Sequence, residues 1–151
     1  WLIDTAGIWS APASELRKAI EETGKNPLLI RTEDEFAGLF PWVMAEPPFI
    51  PRPIMNVLAQ ERIRNFDLEQ RIFVQIAGDS MEERVRGMET PTLIVWGDKD
   101  RTINVATAEV LRSLLPRSTV VIMPGIGHVP VIERPRESAD DYLRFRAELP
   151  Q

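Results

Sequence analysis

The sequence contains no cysteine and a single histidine, His128. The first absence excludes disulfides, thiolate metal sites and a cysteine nucleophile, and it removes any reading of redox compartment or localisation. The second excludes a multi-histidine metal centre, so neither a metal nor any other cofactor is expected. Long apolar runs are missing too. Stretches such as Thr92 to Trp96 and Val120 to Met123 fall far short of the roughly 20 residues a transmembrane helix needs. No basic amphipathic face argues for stable membrane insertion. Nor is there a basic stripe: 18 Lys and Arg are interspersed among 23 Asp and Glu, giving a net charge of −5, so no nucleic-acid partner is expected. A small or neutral partner fits this surface better. Finally, the chain opens Trp1-Leu-Ile-Asp-Thr-Ala-Gly7, without an initiator methionine or a signal-peptide pattern, and reads as the middle of a longer polypeptide.

What is present suffices for a folded core, since 44% of the 151 residues are hydrophobic. Trp1 to Ile3 has the character of the last residues of a buried strand, and Asp4 to Gly7 that of the turn ending it. A helical zone follows. Ser14 to Glu22 is rich in helix formers with Gly24 placed to stop them. Thr32-Glu-Asp-Glu35 fits a capping box before Phe36, Leu39 and Phe40. Pro47, Pro48, Pro51 and Pro53 predict a rigid extended connector. Between Ile54 and Ala77 the apolar residues recur at steps of three and four, predicting one or two amphipathic helices with a break near Asn65 to Asp67. Ser80-Met-Glu-Glu83 reads as a second capping box, opening a short helix to about Arg86.

The period changes near Gly87 to Pro91. Pro91 to Trp96 and Ser118 to Met123 are β-branched runs of the kind found in parallel strands buried on both faces. Between them Val105 to Leu115 reads as an amphipathic helix, with Asn104 as its N-cap and Pro116 beyond its end. Pro135 to Leu149 forms a final helix. Strand, helix, strand, helix is a βαβα unit, which builds a parallel sheet with a right-handed crossover.

In such a sheet the working residues sit in loops beyond the carboxyl ends of the strands. Asp100 lies just past Trp96 and His128 just past Met123, so the topology brings an acid and a base to one sheet edge. A carboxylate that accepts the imidazole Nδ1–H fixes the tautomer and stabilises the imidazolium formed when Nε2 takes a proton. Gly125 and Gly127 allow the loop to close around the ring. Asp98 competes with Asp100 for the acid role, and local physics does not separate them.

Pro91-Thr-Leu-Ile-Val-Trp-Gly-Asp-Lys-Asp100, followed by Leu115-Pro-Arg-Ser-Thr-Val-Val-Ile-Met-Pro-Gly-Ile-Gly-His128, closely resembles the C-terminal segment of α/β-hydrolase-fold enzymes, and the wording of the helical zone looks most like bacterial lipases and esterases. The resemblance implies an α/β fold: the C-terminal part of a parallel sheet carrying an inserted helical cap. Residues 1–7 would end a core strand, 8–88 would form the cap and 89–151 the core. It assigns Asp100 as the triad acid and His128 as the triad histidine, in the family's chain order. It also implies a small-molecule ester as substrate, with carbon–carbon, epoxide or haloalkane hydrolysis and an inactive fragment or binding module as alternatives.

The departure lies in the nucleophile. No Gly-x-Ser-x-Gly occurs around Ser10, Ser14, Ser80, Ser113, Ser118 or Ser138, so the chain alone is expected to be inactive and to need the N-terminal half of the same protein, or self-association, to cover its exposed strands. In the cap, Phe40, Trp42, Met44 and Phe49 are candidates for substrate contact, because a lid over such a site supplies much of the pocket wall.

Overall fold

The computed structural model describes residues 1–149 of the chain. Its sheet has three parallel strands in the order β1 (Leu2–Ile3), β2 (Thr92–Gly97), β3 (Ser118–Met123). Leu2 lies opposite Ile94, and β2 and β3 run in register from Thr92 opposite Ser118 to Gly97 opposite Met123. Successive β2 side chains point to opposite faces, and both faces are covered. Ile94 and Trp96 pack with Ala108, Leu111 and Leu114 of the crossover helix, whereas Leu93 and Val95 pack with Met123, Ile126, Tyr142 and Phe145. All four β2 side chains are at most 1% exposed, each contributing about 1.5–3 kcal/mol of apolar burial.

Between β1 and β2 lie five helices: α1 (Glu15–Thr23), α2 (Glu33–Val43), α3 (Arg52–Arg64), α4 (Phe66–Ala77) and α5 (Glu82–Val85). Helix α6 (Ala106–Leu114) crosses from β2 to β3, and α7 (Pro130–Glu133) and α8 (Pro135–Ala147) follow. The local signals explain most of these ends. Ser14 caps α1 through a bond from Arg17 N, and Gly24 closes it in the left-handed conformation at φ 68°. Thr32 and Glu35 form the reciprocal capping box of α2. The break between α3 and α4 falls at Asn65. Ile30, Phe36, Leu39 and Ala59 make a separate small core for these helices.

Four expectations need correction. Ser80 and Glu83 form no capping box: α5 starts at Glu82 with no side-chain cap bond. Glu83 pairs with Arg86, while the Glu82 carboxylate accepts from the backbone N–H groups of Trp9 and Ser10 at 2.7 and 2.8 Å. The proline run is only partly a connector, because α3 already begins at Arg52 with Pro53 in its first turn, where the missing N–H is harmless. Strand β3 is not buried on both faces: it is an edge strand, with Ile122 exposed and only Met123 buried. Asn104 does serve the start of α6, but one step further out, its Oδ1 accepting from Ala106 N at 3.0 Å.

Candidate active site

Both strands that flank the site end in loops with dense backbone pairing. Beyond β2, the Asp100 side chain is fully buried, and its two oxygens have separate tasks. Oδ1 accepts from Thr102 N at 2.7 Å and Ile103 N at 3.0 Å, which locks the carboxyl group against rotation. Oδ2 lies 2.8 Å from His128 Nδ1. A carboxylate has no proton to give, so Nδ1 donates and Nε2 keeps its lone pair free for another proton. The His128 side chain is a quarter exposed, enough to meet a second reactant.

Asp98, the rival acid, goes elsewhere. Its Oδ1 accepts from Gly125 N at 2.6 Å, so it fastens the histidine loop to the acid loop and makes no bond to the ring. The loops also touch through backbone. Lys99 N donates to Ile126 O at 2.9 Å, and Gly97 packs so closely that a Cβ there would lie 2.1 Å from Gly127 O. Glycine at 97 is therefore a requirement of close approach rather than of dihedral freedom.

The last turn of α2 seats on the same pair of loops. A helix C-terminus leaves carbonyls without intrahelical partners, and here the site supplies them: Arg101 Nη1 donates to Pro41 O at 3.1 Å, Thr102 Oγ1 to Trp42 O at 2.9 Å, and His128 N to Val43 O at 2.9 Å. Arg101 also lies over the Trp42 ring, 4.5 Å from its centroid, and bonds Glu15 at 2.7 Å. Glu133 of α7 completes the fastening. Its Oε1 accepts from Gly127 N at 2.8 Å, and its Oε2 from Ala45 N and Glu46 N at 2.9 and 3.0 Å.

Charge-assisted bonds of this kind contribute about 1.5–3 kcal/mol each where water is excluded, and less here because the bonds to Ala45 and Glu46 are exposed. We expect Glu133→Ala to cost about 2 kcal/mol, or roughly 5 °C in Tm. A thermal melt unchanged to within a degree or so would mean that the histidine loop is held by other contacts.

The four substrate-contact candidates named from the sequence are not gathered in one place. Met44 borders a cleft of about 660 Å³ shared with Glu15, Pro47, Asp98, Asp100 and Arg101. Phe40 packs edge-to-face on Phe36 within the helical core. Trp42 lines a second hollow of about 370 Å³ formed by α1, α2 and the loop between them. Phe49 is 91% exposed.

Two side chains at the site went unread in the sequence. Asp4 at the end of β1 looked like an ordinary turn residue, yet it is buried, and with Asp100 and His128 it presents polar atoms within 4.8 Å of one another. Burial, and then the Asp100 carboxylate, push its carboxyl up to about 9. The signal that could have found it is the shared pattern, an acid just past an apolar strand end, which β2 also shows. Glu133 carries no such signal, because its partners at 45, 46 and 127 are distant in sequence or set by the loop's shape.

A family model described as the alpha/beta hydrolase fold matches residues 17–135. The chain is 42% identical to Lipase 3 of Moraxella sp. (strain TA144), over 97% of this chain and 47% of that protein. It is 41% identical to Lipase 1 of Psychrobacter immobilis, over 99% of this chain and 48% of that protein. Among solved structures, a membrane phospholipase A described as a bacterial virulence factor superposes with a TM-score of 0.90 at 38% identity, covering 97% of this chain and 47% of its own. The chain thus spans about half the length of the curated relatives it matches.

Proposed function

This chain belongs to the α/β-hydrolase fold family, and from that premise we propose that it supplies the acid and histidine of a carboxylic-ester hydrolase of lipase or esterase type acting on a small-molecule ester. The observation that carries the reading is the 2.8 Å bond between His128 Nδ1 and the buried Asp100 carboxylate, in loops beyond the carboxyl ends of adjacent parallel strands. The nucleophile is a serine outside these 151 residues, which contain no Gly-x-Ser-x-Gly. His128 Nε2 takes the serine proton as Oγ attacks the acyl carbon. The imidazolium, stabilised by Asp100, then gives that proton to the departing alkoxide, and water repeats the sequence to release the acid.

On this reading residues 8–88 are the cap, held by the carbonyls at the end of α2 over the core from residue 89 onward, of which 150 and 151 lie outside the described residues, with 1–7 as the end of a core strand. Met44 is the cap residue best placed for acyl contact, because it borders the cleft beside Asp100. Phe40 and Trp42 lie in α2, the helix whose C-cap is Met44. The outer edge of β1 and the apolar side chains exposed on α3 and α4, among them Val57, Leu68 and Ile72, are covered by the nucleophile-bearing half of the same protein or by a second copy. No helix among the described residues is long and apolar enough to cross a membrane.

The test is p-nitrophenyl ester turnover by protein that joins these residues to the serine-bearing segment. Turnover is expected to be abolished in His128→Ala and absent from the 151-residue chain alone. Activity that survives His128→Ala would end the proposal.

A further inference from the structure

One carboxyl group at the site is not used by the Asp100–His128 pair. Asp4 follows β1 with φ 42°, the one non-glycine among the described residues with positive φ, a conformation that costs an aspartate of order 1 kcal/mol. The surrounding structure nevertheless holds it there, 4% exposed. Its Oδ1 accepts from Gly97 N at 3.1 Å, whereas Oδ2 is buried without a hydrogen-bond partner. An ionised oxygen left bare in that way is strongly disfavoured, whereas the neutral acid carries no charge to desolvate and is the less costly form there.

The groups facing Asp4 point the same way. Asp100 from the loop after β2 and Glu133 from α7 both oppose a second negative charge, and no cation acts on Asp4. From the loop after β3 comes His128, a ring nitrogen of which lies within 4.8 Å. Burial is the largest influence, Asp100 the next and Glu133 a smaller one, with the Gly97 N–H pulling in the opposite direction.

We infer that Asp4 is a third acid of the site, a positioning residue that keeps its own proton on Oδ2 at neutral pH so that Asp100 carries the only negative charge of the two carboxyls beside His128. Two ionised carboxylates so close would favour the imidazolium before any substrate arrived, leaving His128 unable to accept a proton. A neutral Asp4 lets the ring begin as a base. The inference rests on the ester-hydrolase reading for its catalytic meaning.

Its test needs no turnover. In protein that joins these residues to the serine-bearing segment, the His128 Cε1–H proton resonance, assigned by its loss in His128→Ala, is the probe of the site. Followed from about pH 5 to about pH 11, it is expected to show, beyond the titration of the ring, a second inflection near pH 9 as Asp4 ionises. Asp4→Asn should abolish that inflection while its Oδ1 still accepts from Gly97 N. Asp100→Asn should move the inflection to lower pH, because the neighbouring negative charge is gone.

A merely structural Asp4 would produce no alkaline inflection, and that result overturns the proposal. So does an inflection that persists in Asp4→Asn, or a variant that instead displaces the titration of the ring. Should Asp4→Asn fail to fold, the carboxyl carbon shift of Asp4 in the unsubstituted, ¹³C-aspartate-labelled joined protein decides: a protonated value at neutral pH supports the inference and a carboxylate value refutes it. A silent ester assay together with the alkaline inflection would refute the proposed reaction and leave the proton on Asp4 established.

Discussion

Asp100→Asn is expected to lower ester turnover by about 10⁴-fold with little change in fold. The size follows from the hydrogen bonds. Asparagine can still accept from Thr102 N and Ile103 N through its one oxygen, as Oδ1 does now, so the loop keeps its shape. The amide NH₂ then faces His128 Nδ1, where Oδ2 stood at 2.8 Å. It can only donate, which forces the proton to Nε2 and leaves no lone pair to take the serine proton. Asp98→Asn is the control that separates the two acids. Its carbonyl can still accept from Gly125 N, the one strong bond Asp98 makes, and the expected loss is below about tenfold. Steady-state rates for both variants beside His128→Ala check the assignment. Equal losses at 98 and 100 would show that both aspartates act only by shaping the loops.

Gly97→Ala is expected to cost about 3 kcal/mol or more and to lower turnover by at least about 100-fold. A Cβ at this position would stand 2.1 Å from Gly127 O and 2.3 Å from Ile126 O. Those are backbone atoms of the loop that carries His128, so relief cannot come from turning a flexible side chain. Strand β2 and the histidine loop must separate, and the ring moves away from both Asp100 and the reacting centre. Gly38, on the exposed side of α2, provides the contrast, since a Cβ there meets nothing within 4 Å. Gly38→Ala should stabilise the protein by about 0.5–1 kcal/mol, because glycine in a helix interior carries excess unfolded-state entropy. Denaturant midpoints for the two variants are expected to move in opposite directions. A mild Gly97→Ala would mean that the loops are looser than their contacts indicate.

The pH dependence of stability follows from Asp4 with a definite sign. A carboxyl whose folded value lies near 9 against an ordinary 3.8 favours the folded state most below the ordinary value. That contribution is lost progressively as pH rises toward 9. Between those limits the unfolded chain gives up a proton that the folded chain keeps, so stability falls with rising pH. Asp4→Asn removes this slope, and asparagine also tolerates the left-handed backbone at that position. Melting temperatures measured across this range should therefore converge for the two proteins in acid and diverge in alkali, with the variant higher.

Much of this architecture could be read along the chain because its causes are local. A run such as Leu93-Ile-Val-Trp96 has one comfortable place, a strand covered on both faces. The Thr32 to Glu35 box and Gly24 set helix ends by bonding within a few residues. The Gly-Asp-Lys-Asp and Gly-Ile-Gly-His loops pointed to an acid and a histidine because strand order places them side by side. What remained hidden depended on partners remote in sequence. Ser80-Met-Glu-Glu83 satisfied the capping pattern but lost its acid to Arg86, while Glu82 turned to Trp9 and Ser10. Local physics left Asp98 and Asp100 unseparated, and only the folded loops show that Asp100 Oδ2 meets the ring while Asp98 bonds Gly125 N. Asp4 and Glu133 became part of the site only when β1 joined β2 and α7 met the end of α2. The sequence by itself determined the element types, the parallel order and the pair of loops that bear the acid and the base, since propensity, capping and hydrophobic period act over a few residues. Tertiary structure alone decided which carboxylate lies against the histidine, which acid is buried with one oxygen unpartnered and how the end of α2 is fastened to the loops after β2 and β3, because burial and charge are properties of surroundings that distant segments create.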